Sequence, residues 1–299
     1  MYDISFKRAR IKKIDKRRSG VEFVTINISG KGSSRAINYT PLTGNVNTGD
    51  RVIVNTTAVD LSLGTGGYHF ICVDLDNNFC KNNKITPERT AGHIMKLKYT
   101  PFQLRTLSVE ERDSPYHDLI NSFNDLAGAP VVIIPLHSLL APAAVSYKHF
   151  YPEHRVVYIM TEGGSLALGF SNLVGELKEK GYIDAAVTIG NAYGGDYEAV
   201  NIFTGLAAAR AVSKADLIIA GMGPGITGTA TRLGYSGVEN AFIYQAVKIL
   251  RGKAIIIPRV SLAEKRKRHY GISHHTITLL KDLIGEKTEI IFPDNEVIK

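Results

Sequence analysis

The feature of this sequence that most constrains its fold is a series of short, unbroken apolar runs in its last two-thirds. An apolar run without polar alternation is typical of a strand that is buried on both faces. The runs predict the strands Val131–Leu136, Val156–Met160, Ala185–Ile189, Asp216–Ala220, Ala254–Ile257 and Glu289–Phe292.

The segments between these runs have the periodicity of amphipathic helices. One helix is predicted from an apolar stripe at Leu166, Phe170, Leu173, Val174 and Leu177. Two more are predicted within 199–210 and 238–249. Strands that alternate with helices form a parallel sheet with helices on both faces. We therefore predict a doubly wound, mostly parallel, Rossmann-like α/β domain over residues 113–299.

Residues 1–112 have a different pattern, in which apolar and polar residues alternate as in half-buried strands. A hairpin is expected from strands at Ile4–Ile14 and Val21–Ile28, with its turn at Lys16–Gly20. Several short strands without a convincing helix predict a small β-barrel-like or sandwich domain over residues 1–112. The further strands predicted there are Arg35–Tyr39, Arg51–Thr57 and Tyr68–Asp74.

Composition excludes several classes of protein. The chain is 44% hydrophobic, which is too apolar for a disordered protein, and it has no run of about 18 apolar residues that would form a membrane span. The N-terminal segment lacks the apolar core of a signal peptide, so we expect a cytoplasmic protein without a membrane partner. Two cysteines, Cys72 and Cys80, are too few for a disulfide framework or a cysteine-rich zinc site.

The net charge of +8 is concentrated in two short segments. Residues 1–18 contain eight bases and two acids, and residues 264–268 contain four bases and one acid. The remaining residues contain 24 bases and 25 acids, so the body of the protein is neutral. The second basic segment adjoins a group of histidines, which favours local binding of an anion. The first segment permits an alternative, in which a basic hairpin binds nucleic acid.

The segments that follow the predicted strands differ from those that precede them. The exits are rich in glycine or carry titratable groups, whereas return segments such as LKEKGYID have plain turn composition. Ligands of open parallel sheets bind beyond the carboxyl ends of the strands, so we expect the site at this edge. The residues that we predict to supply acid–base chemistry are His137, Glu162, Asp196, His274 and His275.

The segment Gly223–Gly228 (GPGITG) matches the pattern G-x-G-x-x-G directly after a strand. Dinucleotide binding is disfavoured because the match follows the fourth strand and Arg259, rather than an acid, follows the next one. A general anion site is one interpretation, and tight turns that need glycine are the other. The residues predicted to bind the anion are Gly223, Gly225, Gly228, Thr229, Arg232 and Arg259.

Some candidate residues have a simpler interpretation as helix N-caps. Ser138, Ser165, Asp196 and Ser273 stand where a cap is expected, and a capping box is predicted at 236–239. The histidines near residue 270 have no standard zinc-ligand spacing, so we predict no metal site there and the sequence identifies no cofactor.

Eight segments together resemble an uncharacterised bacterial family that is known only as a domain of unknown function. The resemblance extends from about residue 20 to residue 282 and implies no activity, cofactor or catalytic residue. The segments that carry it are GTGGYHF, GHIMKLKYTP, ERDSPYH, PLHSLLAPAA, YIMTEGGSLAL, GNAYGGDYEAVN, GMGPGITGTATRLGYSGVE and RHYGISHHT.

The sequence thus predicts a protein that binds or transforms a small anionic metabolite, a class that includes phosphorylated ones, at the strand exits of the α/β domain. The alternative is a nucleic-acid-binding or assembly protein without catalysis, in which the glycine loops are purely structural. The apolar, weakly charged body is compatible with a homo-oligomer.

Overall fold

The structure is a computed structural model that describes residues 3–76 and 92–285. In these ranges the chain forms two compact units. The barrel unit comprises residues 3–76 and Leu97–Leu104, and the sheet unit comprises residues 92–96 and 105–285. Every helix in the described ranges is too short or too polar to cross a bilayer.

The barrel unit is a closed five-stranded barrel with the strand order β1-β2-β3-β5-β4. Neighbouring strands are antiparallel except β3 and β5, which are parallel. This is the Greek-key strand arrangement of OB-folds, and it confirms the predicted barrel. Its strands are β1 (Phe6–Arg18), β2 (Val21–Ile28), β3 (Gly32–Asn38), β4 (Arg51–Asn55) and β5 (Tyr68–Asp74).

The barrel differs from the prediction in its first turn and in its helices. Lys16, Arg17 and Arg18 continue β1 and pair with β2, so the turn is only Ser19–Gly20 and not Lys16–Gly20. Gly20 has a φ of 75°, the conformation that a two-residue hairpin turn needs. Two one-turn helices, which the sequence did not predict, follow β3 and β4: α1 (Thr40–Thr43) and α2 (Thr57–Asp60).

The basic hairpin is partly neutralised within the barrel unit. Lys7 lies 2.9 Å from Asp60, and Arg17 lies 2.8 Å from the buried carboxylate of Glu22. A partly exposed pair such as that of Lys7 and Asp60 contributes little to stability, but both pairs reduce the positive charge that the surface presents. Binding of nucleic acid by this hairpin stays a prediction.

The sheet unit contains a six-stranded parallel sheet in the order β11-β10-β9-β12-β8-β13. The predicted doubly wound α/β class is confirmed, because helices cover both faces of the sheet. The strands are β8 (Pro130–Ile133), β9 (Val156–Thr161), β10 (Ala185–Ile189), β11 (Tyr197–Ala199), β12 (Leu217–Met222) and β13 (Lys253–Ile256).

Two hydrophobic layers hold the helices on the sheet. Ile133, Ile159 and Val187 point to one face, where they pack with α6, α7 and the π-helical segment Leu279–Ile284 that follows α8. Tyr158 and Met160 point to the other face, where they pack with α4 and α5. The helices are α3 (His117–Asn121), α4 (Leu140–Phe150), α5 (Asn172–Glu179), α6 (Ile202–Ala207), α7 (Glu239–Ile249) and α8 (His274–Thr278).

Four short strands complete the described elements. β14 and β15 pair with each other as antiparallel strands after the main sheet. β6 and β7 lie in the part of the chain where it changes from one unit to the other. These strands are β6 (Ile94–Lys96), β7 (Leu104–Thr106), β14 (Val260–Ser261) and β15 (Gly271–Ile272).

Several predicted elements have different limits. The helix predicted from Leu166 begins at Asn172, because Leu168–Phe170 form a separate 3₁₀ turn. Its N-cap is Ser171, whose Oγ accepts a bond from the Val174 amide, and not Ser165. Of the other predicted caps, Ser273 is confirmed, since its Oγ accepts a bond from the His275 amide.

The remaining differences concern short elements. Ser138 lies inside a 3₁₀ turn and Ser236 opens another, and neither side chain caps a helix there. Ala199 belongs to β11, a strand that the sequence did not predict, and α6 begins at Ile202. The strand predicted at Glu289–Phe292 lies outside the described residues.

A fully buried lysine connects β6 to the loop after β10. The Nζ atom of Lys96 lies 2.9 Å from Oε2 of Glu198 and donates to the carbonyl of Ala192 at 2.7 Å. Lys96 has no exposed surface, and the Glu198 side chain is 13% exposed. A buried charge is tolerated only when it is paired and hydrogen-bonded, so this pair fixes the path of the loop.

We expect Lys96→Met to lower the free energy of unfolding by about 3–5 kcal/mol, because it leaves the carboxylate of Glu198 buried and unpaired. The double variant Lys96→Met/Glu198→Gln should recover much of this loss. Lys178→Met is the matched control, since its partner Asp196 is 40% exposed and the loss should stay below about 1 kcal/mol. Urea denaturation measures all of these values, and equal losses for the two lysines would contradict the prediction.

Candidate functional site

The exit loops of β9 and β12 meet at the centre of the carboxyl edge. β9 and β12 are neighbours, but the chain leaves β9 toward β10 and leaves β12 toward β13 on the other side. Such a reversal is where ligands of open α/β sheets bind. Here the Ser165 amide donates to the carbonyl of Pro224 at 2.8 Å, and a Cβ on Gly164 would collide with the carbonyl of Gly223. Contact between these two backbones therefore fills the space between the exits of β9 and β12, and leaves no room there for a ligand.

An apolar cleft of about 230 Å³ opens beside this contact, on the side of β10. It has two carboxylates in its wall, from Glu162 after β9 and Glu239 at the start of α7. The Thr161 hydroxyl donates to Oε1 of Glu239. The cleft is lined by Thr161, Glu162, Ile189, Gly190, Val200, Asn201, Ile202, Glu239, Phe242 and Ile243.

The two carboxyl groups of the cleft have different environments. Oε2 of Glu162 accepts bonds from the backbone and side-chain nitrogens of Asn191, at 2.6 and 3.0 Å. Gly190, with a φ of 61°, leaves space for that carboxylate, since a Cβ there would lie 2.5 Å from it. Burial raises the pKa of Glu239, and the nearby charge of Glu162 raises that pKa further. The raised pKa of Glu239 favours its protonated form, next to a second carboxylate that accepts bonds from Asn191.

His137 lies beneath the same edge, and both of its ring nitrogens face hydroxyl groups of the protein itself. Its Nε2 lies 2.7 Å from the Ser171 hydroxyl, and its Nδ1 lies 3.3 Å from the Tyr158 hydroxyl. That hydroxyl also donates to the carbonyls of Gly221 and Met222. Burial lowers the pKa of His137 to about 4, so the ring is neutral at pH 7. Catalysis by His137 stays a prediction.

Asp196 lies away from the carboxyl edge. The loop after β10 runs back along the sheet, because β11 is parallel to β10. As a result Asp196 accepts a bond from the Ala186 amide, near the start of β10, and forms an ion pair with Lys178 at 2.6 Å. The structure does not bring it to Glu162, and it caps no helix. Lys178 already supplies a cation to its carboxylate.

The segment Gly223–Gly228 does not open a helix. It begins a folded loop in which the amides of Thr227 and Thr229 donate to Ser236 Oγ and to the carbonyl of Gly234, at 3.0 and 2.9 Å. These two amides are therefore engaged within the loop. Gly225 has a φ of 109°, which agrees with the interpretation as a tight turn.

The other residues predicted to bind an anion have different surroundings. Arg232 is exposed and forms an ion pair with Asp282 at 2.7 Å. The Thr229 hydroxyl donates to the carbonyl of Gly234. Two of the predicted residues approach the histidines: a Cβ on Gly228 would lie 3.4 Å from the His275 ring, and Nη1 of Arg259 lies 3.2 Å from Nδ1 of His269.

Three imidazoles meet beyond β13, next to the loop from β12. His269, His274 and His275 each place a ring nitrogen within 4.8 Å of the other two. Their ring centroids are 4.2–5.0 Å apart. The His275 ring stacks on Tyr235 with a centroid distance of 3.9 Å, so the loop from β12 supports one wall of the group. We call these three residues and Arg259 the His–Arg site.

Guanidinium groups surround these imidazoles. Nη1 of Arg259 lies 3.2 Å from Nδ1 of His269, and Nη2 donates to Glu264 at 3.0 Å. The Ser273 hydroxyl lies 2.8 Å from the same His269 nitrogen. Burial lowers the pKa of all three histidines, and the positive charges of Arg259 and Arg268 lower those pKa values further; for His275 the value is about 4.

One nitrogen of the site has no partner. Nε2 of His274 is buried from solvent and makes no hydrogen bond to the described residues. A buried polar atom costs free energy when it is left without a bond, so a hydrogen bond or a coordinate bond to this nitrogen would be stabilising.

The sequence missed Glu239 as a member of the cleft, and it grouped His269 with His274 and His275 without assigning it a role in a site. Glu239 stands in the first turn of a helix, where an acid is explained by the helix dipole alone. His269 was recognised as part of a titratable group, but only the turn between β14 and β15 brings it onto His274 and His275.

A model of the family described as "Protein of unknown function (DUF3866)" matches residues 35–299. No curated protein matches the sequence, and no solved structure matches it. The predicted resemblance to a family of unknown function is thus confirmed.

The low pKa of His137 predicts a loss of stability in acid. The unfolded chain binds a proton at His137 below about pH 6.5, but the folded protein does so only near pH 4, so the free energy of unfolding falls as the pH decreases through this window. His137→Gln should reduce the slope by close to one proton between pH 6.5 and 4. Denaturant titrations at several pH values measure the slope, and an unchanged slope would refute this assignment.

Proposed function

Because this chain belongs to DUF3866, a family of proteins of unknown function, its membership supplies no activity, and we propose from its own chemistry that it binds a small anionic metabolite at the His–Arg site. The observation that carries the proposal is the buried, unpartnered Nε2 of His274 beside the guanidinium of Arg259. An anionic oxygen would satisfy this nitrogen and balance the local charge.

The charges around the site favour an anion over a neutral ligand. Arg259, Arg266 and Arg268 bring three cations, and Glu264 is the acid that bonds to two of them. Glu264 orients Arg259 through Nη2, so that Nη1 faces the imidazoles. A planar guanidinium binds phosphate and carboxylate groups through paired hydrogen bonds, so these groups are the proposed ligand class.

We expect inorganic phosphate to raise the melting temperature of the protein. Once the phosphate concentration exceeds the dissociation constant, the increase should be proportional to the logarithm of that concentration. Arg259→Lys keeps the charge but loses the paired donors, so it should weaken phosphate binding by about tenfold or more. Arg268→Ala removes an exposed cation and should also weaken phosphate binding. Isothermal titration calorimetry measures the constants.

Lys248→Ala is the matched control, because it removes a cation near the end of α7, which leads to the opposite edge of the sheet. It should leave phosphate binding unchanged. Binding that weakens equally in Lys248→Ala and Arg259→Lys would reflect net charge alone and would overturn the proposed site. The same holds if phosphate, sulfate and short-chain phosphate esters all fail to bind the wild-type protein.

A second candidate function is acid–base chemistry in the cleft of Glu162 and Glu239. The specific observation in its favour is that both carboxyl groups line one cavity at the carboxyl edge, beside apolar side chains. Glu239 would donate a proton and Glu162 would accept one. The lining of this cleft contains two glutamates and no lysine, arginine or histidine, so it is unsuited to an anion. Its ligand would be a small neutral or cationic group.

We expect Glu162→Gln to lower the pKa of Glu239, because it removes a neighbouring negative charge. The pKa should nevertheless stay above its usual range, since burial is the larger cause of the shift. Carbon-detected NMR titration of glutamate side chains, assigned with Glu239→Gln, measures this change. Glu176→Gln, on the exposed side of α5, is the matched control. A Glu239 pKa that does not respond to Glu162→Gln would rule out the coupled pair.

A further inference from the structure

We propose that His269, His274 and His275 form a site for one divalent transition-metal ion, with the anion of the proposed function as a further ligand. Three of the nine histidines of the chain meet at this point, from a 3₁₀ turn and from the start of α8. Imidazole is a preferred ligand of Zn²⁺, Cu²⁺, Ni²⁺ and Fe²⁺, and three imidazoles with an open position are a common arrangement for catalytic zinc.

The distances suit a single ion after a small adjustment. The three ring nitrogens already lie within 4.8 Å of one another. Two nitrogen ligands of one zinc ion are at most about 4.2 Å apart, twice the Zn–N bond length of about 2.1 Å. The side chains of His274 and His275 are only half-buried, so small rotations of these rings can close the difference.

The hydrogen bonds leave suitable nitrogens available. Nε2 of His274 is buried and unpartnered, which is what a ligand atom without its ion would show. Nδ1 of His269 lies 3.2 Å from Nη1 of Arg259, which can only donate, so Nδ1 accepts and Nε2 carries the ring proton in this structure. Binding of an ion at Nε2 therefore moves that proton to Nδ1, which then donates to Oγ of Ser273 at 2.8 Å, while Arg259 turns from Nδ1 toward the anion. A polar partner on the second nitrogen of a histidine fixes the ring and its tautomer in metal sites, and Ser273 would have that role.

The surrounding charge determines what else must bind. All three ligands are neutral, and Arg259 and the exposed Arg268 add positive charge around the ion. A dication is therefore disfavoured unless an anion joins it. When the ion occupies Nε2 of His274, the anion would bind the ion and Arg259 and would no longer bond to that nitrogen. This part of the inference rests on the proposed function, whereas binding of the ion by the three histidines does not. The metal ion and phosphate should each raise the affinity for the other by the same factor, because the coupling of two binding equilibria is reciprocal.

The experiment uses the full-length, tag-free protein stripped of metal with a chelator. Zn²⁺ binding is measured by calorimetry, and Co²⁺ is added separately because its visible spectrum reports the coordination number. We expect one ion per chain. His274→Ala should weaken binding at least tenfold, and it should preserve the melting temperature because the Nε2 atom has no hydrogen bond to lose.

Two further variants keep the result interpretable. His275→Phe retains the ring that stacks on Tyr235 but removes its nitrogens, so it should also abolish stoichiometric binding even if His274→Ala is unstable. His149→Ala removes an exposed histidine on α4 and should have no effect. Failure of the wild-type protein to bind one ion, or equal binding by His274→Ala, His275→Phe and the wild type, would overturn the metal site.

The outcomes separate this inference from the proposed function. Titrations of Zn²⁺ with and without phosphate, and of phosphate with and without Zn²⁺, complete the set. Phosphate binding that depends on Arg259 but is accompanied by no metal binding would refute the metal site and leave the anion site standing. Metal binding by the three histidines without any phosphate binding would refute the anion site and leave the metal site standing. Independent binding of both, with no mutual effect, would overturn the placement of the anion on the ion.

Discussion

The sheet unit depends on a close approach of two backbones at its carboxyl edge. Gly164 and Gly223 have no side chains to separate the exits of β9 and β12, and the Ser165 amide bonds directly across to Pro224. A glycine is required wherever two backbones come so near, because a Cβ would occupy the same space. Since this contact fills the topological reversal, space for ligands opens on either side of it and not within it.

The two flanking sites have opposite electrostatic character. The cleft toward β10 is walled by Glu162 and Glu239, while the site beyond β13 has Arg259 among its imidazoles. In each case the protein places titratable groups where burial acts on them, which raises the pKa of Glu239 and lowers that of His275. One edge of a single sheet thus has two regions of different charge, because each loop carries its own set of side chains.

Much of the fold could be predicted because burial on both faces leaves a direct mark on the sequence. Ala185–Ile189 is apolar or small throughout and forms β10 with the predicted limits. The helix predicted from Leu166 begins later, since an apolar stripe reports burial and a 3₁₀ turn can bury Leu168 as well as an α-helix can. For the sites, sequence identified Glu162, Arg259, His274 and His275, but a partner such as Glu239 is brought near only by long-range packing.

The strand order has a consequence for how the chain reaches its folded state. β12 lies between β8 and β9, although β9, β10 and β11 all precede it in the sequence. A nascent chain that ends before residue 217 thus has no central strand, and β8 and β9 lack their shared neighbour. Contacts between distant segments of sequence slow folding, so the sheet would close late, and exposed strand edges would persist until it did. The two ligand sites, which both draw on segments after β12, can be assembled only once this strand is in place.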